Sequence, residues 1–349
     1  RTTDPSSSLH RAVKGHEAKV DWVMDKLLND KRILQVVAIS GMGGVGKTTL
    51  AQSVYNHRIS LARFDKRIWC TISQNSSLED IFQALLGEKQ TEGSIHELGL
   101  RLYNKLMGHR FLIVLDDMWD LTAWNRMKSY LPEDENSSGV IITTRISSIA
   151  DSIRTTLDPC SLDLLDENAS WELLKETIFG NGDCPPELED IGKKIAISCR
   201  GLPLSLVTIA GVLSKSGRSV ILWERVAENV RRFLSDDEHG LKVLNLSYQS
   251  LPMRLKPCFL YLRNFKEDET IEAKYLIRSW ICEGLVRPVA DKTVEEVAEE
   301  YLRDLIDRNL ILILKRSISE EIKECSVHDF IRELCIRVSQ KEKFVSTLR

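Results

Sequence analysis

Residues 33–49, ILQVVAISGMGGVGKTT, decide how this chain is read. The first half, 33–40, is a short apolar run rich in β-branched residues and without polar alternation, as in a strand covered on both faces. The second half, Gly41-Met42-Gly43-Gly44-Val45-Gly46-Lys47-Thr48-Thr49, fits the pattern G-x-x-x-x-G-K-[ST]. Glycines there let successive backbone N–H groups turn inward around a phosphate with no Cβ in the way. The helix that follows adds its positive N-terminal end. In such a loop Lys47 reaches the β- and γ-phosphates and the Thr48 hydroxyl ligates Mg²⁺. A glycine-rich turn without a ligand is the plainer alternative, and the buried strand running straight into the loop argues against it.

Working outward, three more apolar runs follow: 67–73 (RIWCTIS), 111–117 (FLIVLDD) and 139–145 (GVIITTR). Amphipathic stretches, among them 78–89 and 95–107, separate them. Strands alternating with helices imply a parallel, doubly wound α/β sheet, and residues 13–159 are expected to form a P-loop nucleotide-binding domain. Asp116 and Asp117 close the third run. Carboxylates at that end of a parallel strand emerge at the mouth where ligands sit, so Asp116 is expected to hold Mg²⁺ and Asp117 to position an attacking water. The competing reading of the pair is a turn or helix cap. Arg145, at the end of the fourth run, is a candidate sensor of a γ-phosphate because its guanidinium forks onto phosphate oxygens; otherwise it is a surface arginine.

After Pro159 no strand is expected for some distance. Helical patterns at 168–179, 188–199, 203–213 and 222–233 predict a helical bundle over 160–235. Over 236–349 the pattern predicts helices near 240–250, 254–263, 271–283 and 293–307, a hairpin from 310–316 and 325–327, and a last helix from Asp329. That is the layout of a winged helix. Residues 1–12 read as a flexible lead-in, and a start at Arg1 without Met reads as an excised fragment.

Composition narrows the function classes. The 349 residues hold 48 Lys+Arg against 51 Asp+Glu, a net charge of −3, which argues against a chain built mainly to grip nucleic acid. No apolar stretch approaches the roughly 18 residues of a membrane span. Eight scattered cysteines without a C-x-x-C pair, most of them inside apolar runs, predict free and mostly buried thiols and a reducing, intracellular compartment. His10, His16, His57, His96, His109 and His239 lack ligand spacing and are expected to be surface or capping residues.

Three motifs, GMGGVGKTT (41–49), LIVLDDMW (112–119) and GVIITTR (139–145), are followed by Gly201-Leu202-Pro203-Leu204, Cys258-Phe259-Leu260-Tyr261 and Val327-His328-Asp329. In this order they resemble the nucleotide-binding (NB-ARC) module of plant intracellular immune receptors, the NLR proteins, over residues 12–340. Trp119 and the stretch 258–268 resemble the coiled-coil class, and within it the solanaceous NRC-type helpers. The resemblance implies a STAND/ASCE-type parallel sheet with an extra strand between the loop strand and the Asp-Asp strand, followed by a helical bundle and a winged helix. It implies an ADP-bound closed state that exchange to ATP, with Mg²⁺, opens to oligomerisation. Val13 and Gly15 would flank adenine through backbone, residues 41–49 would wrap the phosphates, Pro203 would pack on base and sugar, and His328 would bond the ADP β-phosphate.

The resemblance further implies a coiled-coil region and leucine-rich repeats absent from this fragment, other NLR receptors as partners, and no nucleic acid. The isolated fragment is expected to be a monomer and the activated receptor a homo-oligomer. The location expected from the resemblance is cytoplasmic, with membrane association of the activated receptor. This sequence departs from the family pattern at Val327 (usually Met), Lys266 (usually Pro) and Lys14-Gly15-His16, and Asp117 stands where fast ATPases of related architecture place Glu. Slow hydrolysis at most is therefore expected. The competing functions are a turnover ATPase, a regulator binding DNA through the winged helix and, more weakly, a small-molecule kinase.

Overall fold

In the computed structural model the first part of the chain runs α1 (Glu17–Leu28), β1 (Gln35–Ser40), α2 (Lys47–Tyr55), α3 (Arg58–Arg63), β2 (Lys66–Thr71), α4 (Leu78–Leu86), α5 (Ile95–Leu106), β3 (Phe111–Asp116), α6 (Leu121–Lys128), β4 (Gly139–Thr144), α7 (Ser147–Ser152) and β5 (Cys160–Ser161). The described residues are 14–28, 33–73, 76–88, 93–133, 136–153, 159–180, 182–232, 239–267, 269–317 and 319–344. The chain divides into two compact units, Arg1–Asp163 and Leu164–Arg349. The 1–12 lead-in and residues 233–238, where the helical bundle was expected to give way to the winged helix, lie outside the described residues.

Every residue of β1, β3 and β4 is buried, as unalternated apolar runs require. The sheet is parallel in the order β2-β3-β4-β1-β5, so β4 lies between the loop strand and the Asp-Asp strand as the resemblance implies. Helices cover both faces with separate cores, one built on Phe82, Leu98, Leu102 and Trp124, the other on Leu27, Leu50 and Val54. Ser77 with Asp80 and Ser94 with Glu97 form reciprocal capping boxes that start α4 and α5.

The expectation of no strand after Pro159 is corrected by β5. Cys160 and Ser161 pair with Ile39 and Ser40, and Leu162 N–H donates to Ser40 O at 2.8 Å. Two residues are too few to show periodicity, so only the open edge of β1 reveals them.

The second unit begins with α8 (Glu167–Phe179), α9 (Pro186–Ser198), α10 (Pro203–Lys215) and α11 (Val220–Arg231), packed around Leu173, Ile195, Leu206, Ile209 and Trp223. It continues with α12 (His239–Gln249), α13 (Lys256–Tyr261), β6 (Ile271–Glu272), α14 (Ala273–Cys282), α15 (Val294–Asp307), β7 (Leu312–Arg316), β8 (Ile322–Ser326) and α16 (Asp329–Glu342), around a core of Phe259, Leu276, Trp280, Leu302 and Leu334. The expected two-stranded hairpin is a three-stranded sheet, β6-β8-β7, because Ile271–Glu272 adds antiparallel to β8. Among the described residues no helix is long and apolar enough to cross a membrane.

The two cores of this unit meet where α10 passes the end of α15. A Cβ on Gly211 would lie 2.2 Å from the Arg308 carbonyl oxygen. Asn309, held at φ 57°, donates its side-chain N–H to Val207 O at 3.0 Å. Lys215 reaches Asp304 and Asp307, each at 3.1 Å. At an open helical position Gly→Ala raises stability by about 1 kcal/mol. Here the added methyl has no room, so Gly211→Ala is expected to lower stability by about 1–3 kcal/mol. The midpoint of guanidinium unfolding checks the sign, and a stabilised variant would contradict the close approach.

Candidate functional site

The chain leaves β1 through a loop that few side chains would allow. Gly41 sits at φ 151°, and a Cβ there would come 2.8 Å from Leu162 O and 3.0 Å from the Val45 side chain. The β5 segment thus presses on the loop's first residue. Gly44 and Gly46 also take left-handed φ, 77° and 108°, and Gly43 precedes them in the turn. Val45 is fully buried and anchors the loop in the core. Gly46 is the N-cap of α2 and has no side chain to bond the first-turn N–H groups, the arrangement that suits an anion.

Lys47 is buried, and its Nζ donates to the Gly41 and Met42 carbonyls at 2.8 and 2.9 Å. Thr48 Oγ1 donates to Asp116 Oδ1 at 3.0 Å, while Thr49 is half-buried on the same turn. Asp116 receives a second hydroxyl, from Thr143 of β4, at 2.5 Å. Burial pushes the Asp116 carboxyl up to about 6, against the opposing pull of these two hydroxyls.

Thr143 Oγ1 also accepts from Asp117 N–H at 2.8 Å, and Thr144 Oγ1 donates to Met118 O at 2.7 Å. The end of β4 therefore braces the chain leaving β3. Asp117 is held at φ 61° and takes both Arg145 Nε (3.1 Å) and Nη2 (3.0 Å) on its carboxylate. The Trp119 indole N–H donates to the same carboxylate at 3.2 Å, and its ring lies 5.1 Å from the guanidinium carbon. Asp116, Asp117, Thr48 and Arg145 are thus brought together. The Thr143 and Thr144 braces and the Trp119 contact went unassigned in the sequence; the adjacent hydroxyls of the TTR motif were the available signal.

One histidine expectation changes. His16 is buried rather than at the surface, its Nε2 without a hydrogen-bond partner among the described residues, and burial lowers its pKa despite a bond to the Val45 backbone. Gly15 precedes it at φ 87°, its N–H donating to Glu17 at 2.8 Å, while Val13 lies outside the described residues. In the second unit, His328 is the N-cap of α16. Its Nδ1 accepts from Phe330 N–H at 3.3 Å, which leaves the ring proton of the neutral form on Nε2. Pro203 is buried at the first turn of α10, after Gly201 at φ 70°, where a Cβ would meet Leu165 O at 2.2 Å. Lys266 uses the N–H that a proline lacks, donating to Glu269 at 2.7 Å.

The residues of the first unit fit a nucleoside phosphate with Mg²⁺. The loop is a cradle that Cβ atoms would fill, and a hydroxyl and a carboxylate adjoin at its end. Among the described residues no cluster of three or more His, Cys, Asp or Glu side chains could hold a metal by itself. A cation at Thr48 and Asp116 would complete its shell with phosphate oxygens and water, the usual habit of Mg²⁺.

Comparison with known proteins defines the class. The NB-ARC domain family matches residues 16–184, and the disease resistance protein winged helix domain matches residues 265–335. The chain carries an NB-ARC domain and a disease resistance protein winged helix domain. It is 37% identical over 344 residues to late blight resistance protein R1-A of Solanum demissum, covering 97% of this chain and 26% of that protein. The putative late blight resistance protein homolog R1B-23 of the same species is likewise 37% identical, over 97% of this chain and 27% of the relative. The chain thus spans about a quarter of the length of the curated relatives it matches. The fold is shared with the STAND protein PH0952 of Pyrococcus horikoshii, which carries a tetratricopeptide repeat sensor. Its TM-score is 0.58 at 19% identity, over 94% of this chain and 43% of that one.

Lys47→Arg is expected to cost at least about tenfold in nucleotide affinity, since the wider guanidinium cannot follow a point-charge ammonium into the loop. Titration calorimetry with ADP on the purified chain measures this; unchanged affinity would contradict the loop assignment.

Proposed function

We propose that this chain is the ADP/ATP-dependent switch of a plant intracellular immune receptor. The observation that carries it is the Thr48 hydroxyl set 3.0 Å from the buried Asp116 carboxylate, at the end of a loop bent by Gly41, Gly44 and Gly46. Amides of residues 41–49 hold the phosphates, and Lys47 exchanges its own loop carbonyls for β- and γ-oxygens. Thr48 and Asp116 hold Mg²⁺, Arg145 meets a γ-phosphate, and Asp117 positions water. Bound Mg²⁺ supplies charge neutralisation on the phosphates.

The family resemblance supplies the remaining assignments: Val13 and Gly15 toward adenine, Pro203 toward base and sugar, and His328 toward the ADP β-phosphate. The Nε2 proton that the helix cap leaves on His328 is the donor such a contact needs. A donor suited to ADP and a cation suited to ATP bias the protein in opposite directions, and coupling of about 1–3 kcal/mol is usual for such linkage. ADP would hold the autoinhibited form; ATP would permit opening, homo-oligomerisation and defence signalling in the cytoplasm, with membrane association of the activated receptor. Hydrolysis would reset the switch. The coiled-coil and leucine-rich-repeat regions, other NLR receptors and membership of the NRC-type helpers belong to this same proposal, as does the 13–159, 160–235 and 236–349 division into domains.

The DNA-binding rival is weakened by the engagement of the α16 arginines. Arg332 Nε donates to Phe265 O at 2.6 Å, and Arg337 pairs with Glu333 at 2.7 Å. Nucleotide released by denaturing the purified chain, identified by liquid chromatography, tests the switch: close to one ADP per chain supports it, and steady phosphate release would establish a turnover enzyme instead. In the full receptor, His328→Ala and Asp329→Val are expected to cause signalling without a pathogen and several-fold faster ADP loss. Silent variants that retain ADP would refute the lock.

A further inference from the structure

We propose that Asp117 and Trp119 form a resting holder for Arg145, and that this holder sets how strongly the site prefers ADP over ATP. The inference rests on the nucleotide reading above and names the residues that tune it. Nothing in that reading requires Arg145 to be restrained before a γ-phosphate arrives, yet three contacts restrain it.

The ion pair is two-pronged, at 3.1 and 3.0 Å, with side-chain exposures of 25% for Arg145 and 11% for Asp117, so water screens it weakly. The Trp119 ring lies beside the guanidinium while its indole N–H donates to the carboxylate, so one side chain steadies both partners. The carboxylate is itself fixed by backbone. Asp117 holds a left-handed φ of 61°, and its N–H is tied to Thr143 Oγ1 at 2.8 Å. A holder this constrained does not relax when the arginine leaves.

A γ-phosphate seeking Arg145 must therefore displace a carboxylate that already matches its fork. ADP, without that phosphate, leaves the pair undisturbed. The competition weakens ATP binding and spares ADP, making Asp117 and Trp119 positioning residues that act on nucleotide choice through Arg145.

The test is titration calorimetry on the 349-residue chain with excess Mg²⁺, using ADP and the β,γ-imido analogue of ATP. Asn tolerates a left-handed φ, so Asp117→Asn keeps the backbone while weakening the hold. It is expected to raise analogue affinity about tenfold and to leave ADP within about twofold, an effect the size of typical site coupling. Trp119→Leu should shift the ratio in the same direction by less, and Trp119→Phe, which keeps a ring, by less again.

Removing a negative charge by itself also favours the more anionic nucleotide, so a double-mutant cycle with Arg145→Gln decides. The proposal holds if the gain vanishes in the Asp117→Asn/Arg145→Gln chain. It is overturned if the gain persists without the arginine, or if Asp117→Asn changes both affinities equally. Normal ADP binding with an unchanged ratio sinks the holder alone. Failure of the unaltered chain to bind ADP sinks the nucleotide reading and the holder with it.

Discussion

A carboxylate placed out of reach of water at the end of a strand must draw its hydrogen bonds from its neighbours, and the arrangement around Asp116 answers that demand. One hydroxyl comes from Thr48, on the helix that follows the glycine loop; the other comes from Thr143, on the next strand of the sheet. Strand, loop helix and neighbouring strand are thereby tied at a single atom, Oδ1. Insertion of β4 beside β3 makes this geometry available, because it sets the TTR residues next to the Asp pair. From that tie follow the restrained Asp117 backbone, the braced Met118 carbonyl and the orientation of Arg145.

Close backbone approach is the second recurrent constraint. Gly41 accepts the β5 segment, Gly201 accepts Leu165, and Gly211 accepts Arg308, each at a distance a side chain would not allow. The first shapes the phosphate loop, the second sets the turn before Pro203, and the third joins the helical bundle to the winged helix within the second unit. Six of the eight cysteines are buried and serve packing, whereas Cys184 is half-buried and Cys282 exposed. Burial pushes the Cys70, Cys199, Cys258 and Cys325 thiols up to about 12, which leaves them small buried hydrophobes with little thiolate.

Much of this was legible in the order of residues. Unalternated runs at β1, β3 and β4 announced buried parallel strands, and the GMGGVGKTT pattern announced the loop between strand and helix. The helices of the second unit were legible from apolar spacing, since each buries one stripe. The short strands β5 and β6 were not, because two residues carry no period and exist as strands only when a sheet edge is waiting for them. His16 escaped for a related reason: an isolated polar residue shows no pattern, and its burial depends on what the phosphate loop lays over it.

What the sequence determined by itself was chemistry that is local in the chain: which loop can expose its amides, which strand ends in carboxylates, which residues can stand at φ above zero. Tertiary structure decided which of those groups answer one another. Thr48, Asp116 and Thr143 meet, and Arg145 turns to Asp117 and Trp119, only because parallel strands distant in sequence end side by side. Hydrogen bonds and ion pairs act over about 3 Å, and no spacing along the chain encodes a separation that the sheet order alone creates.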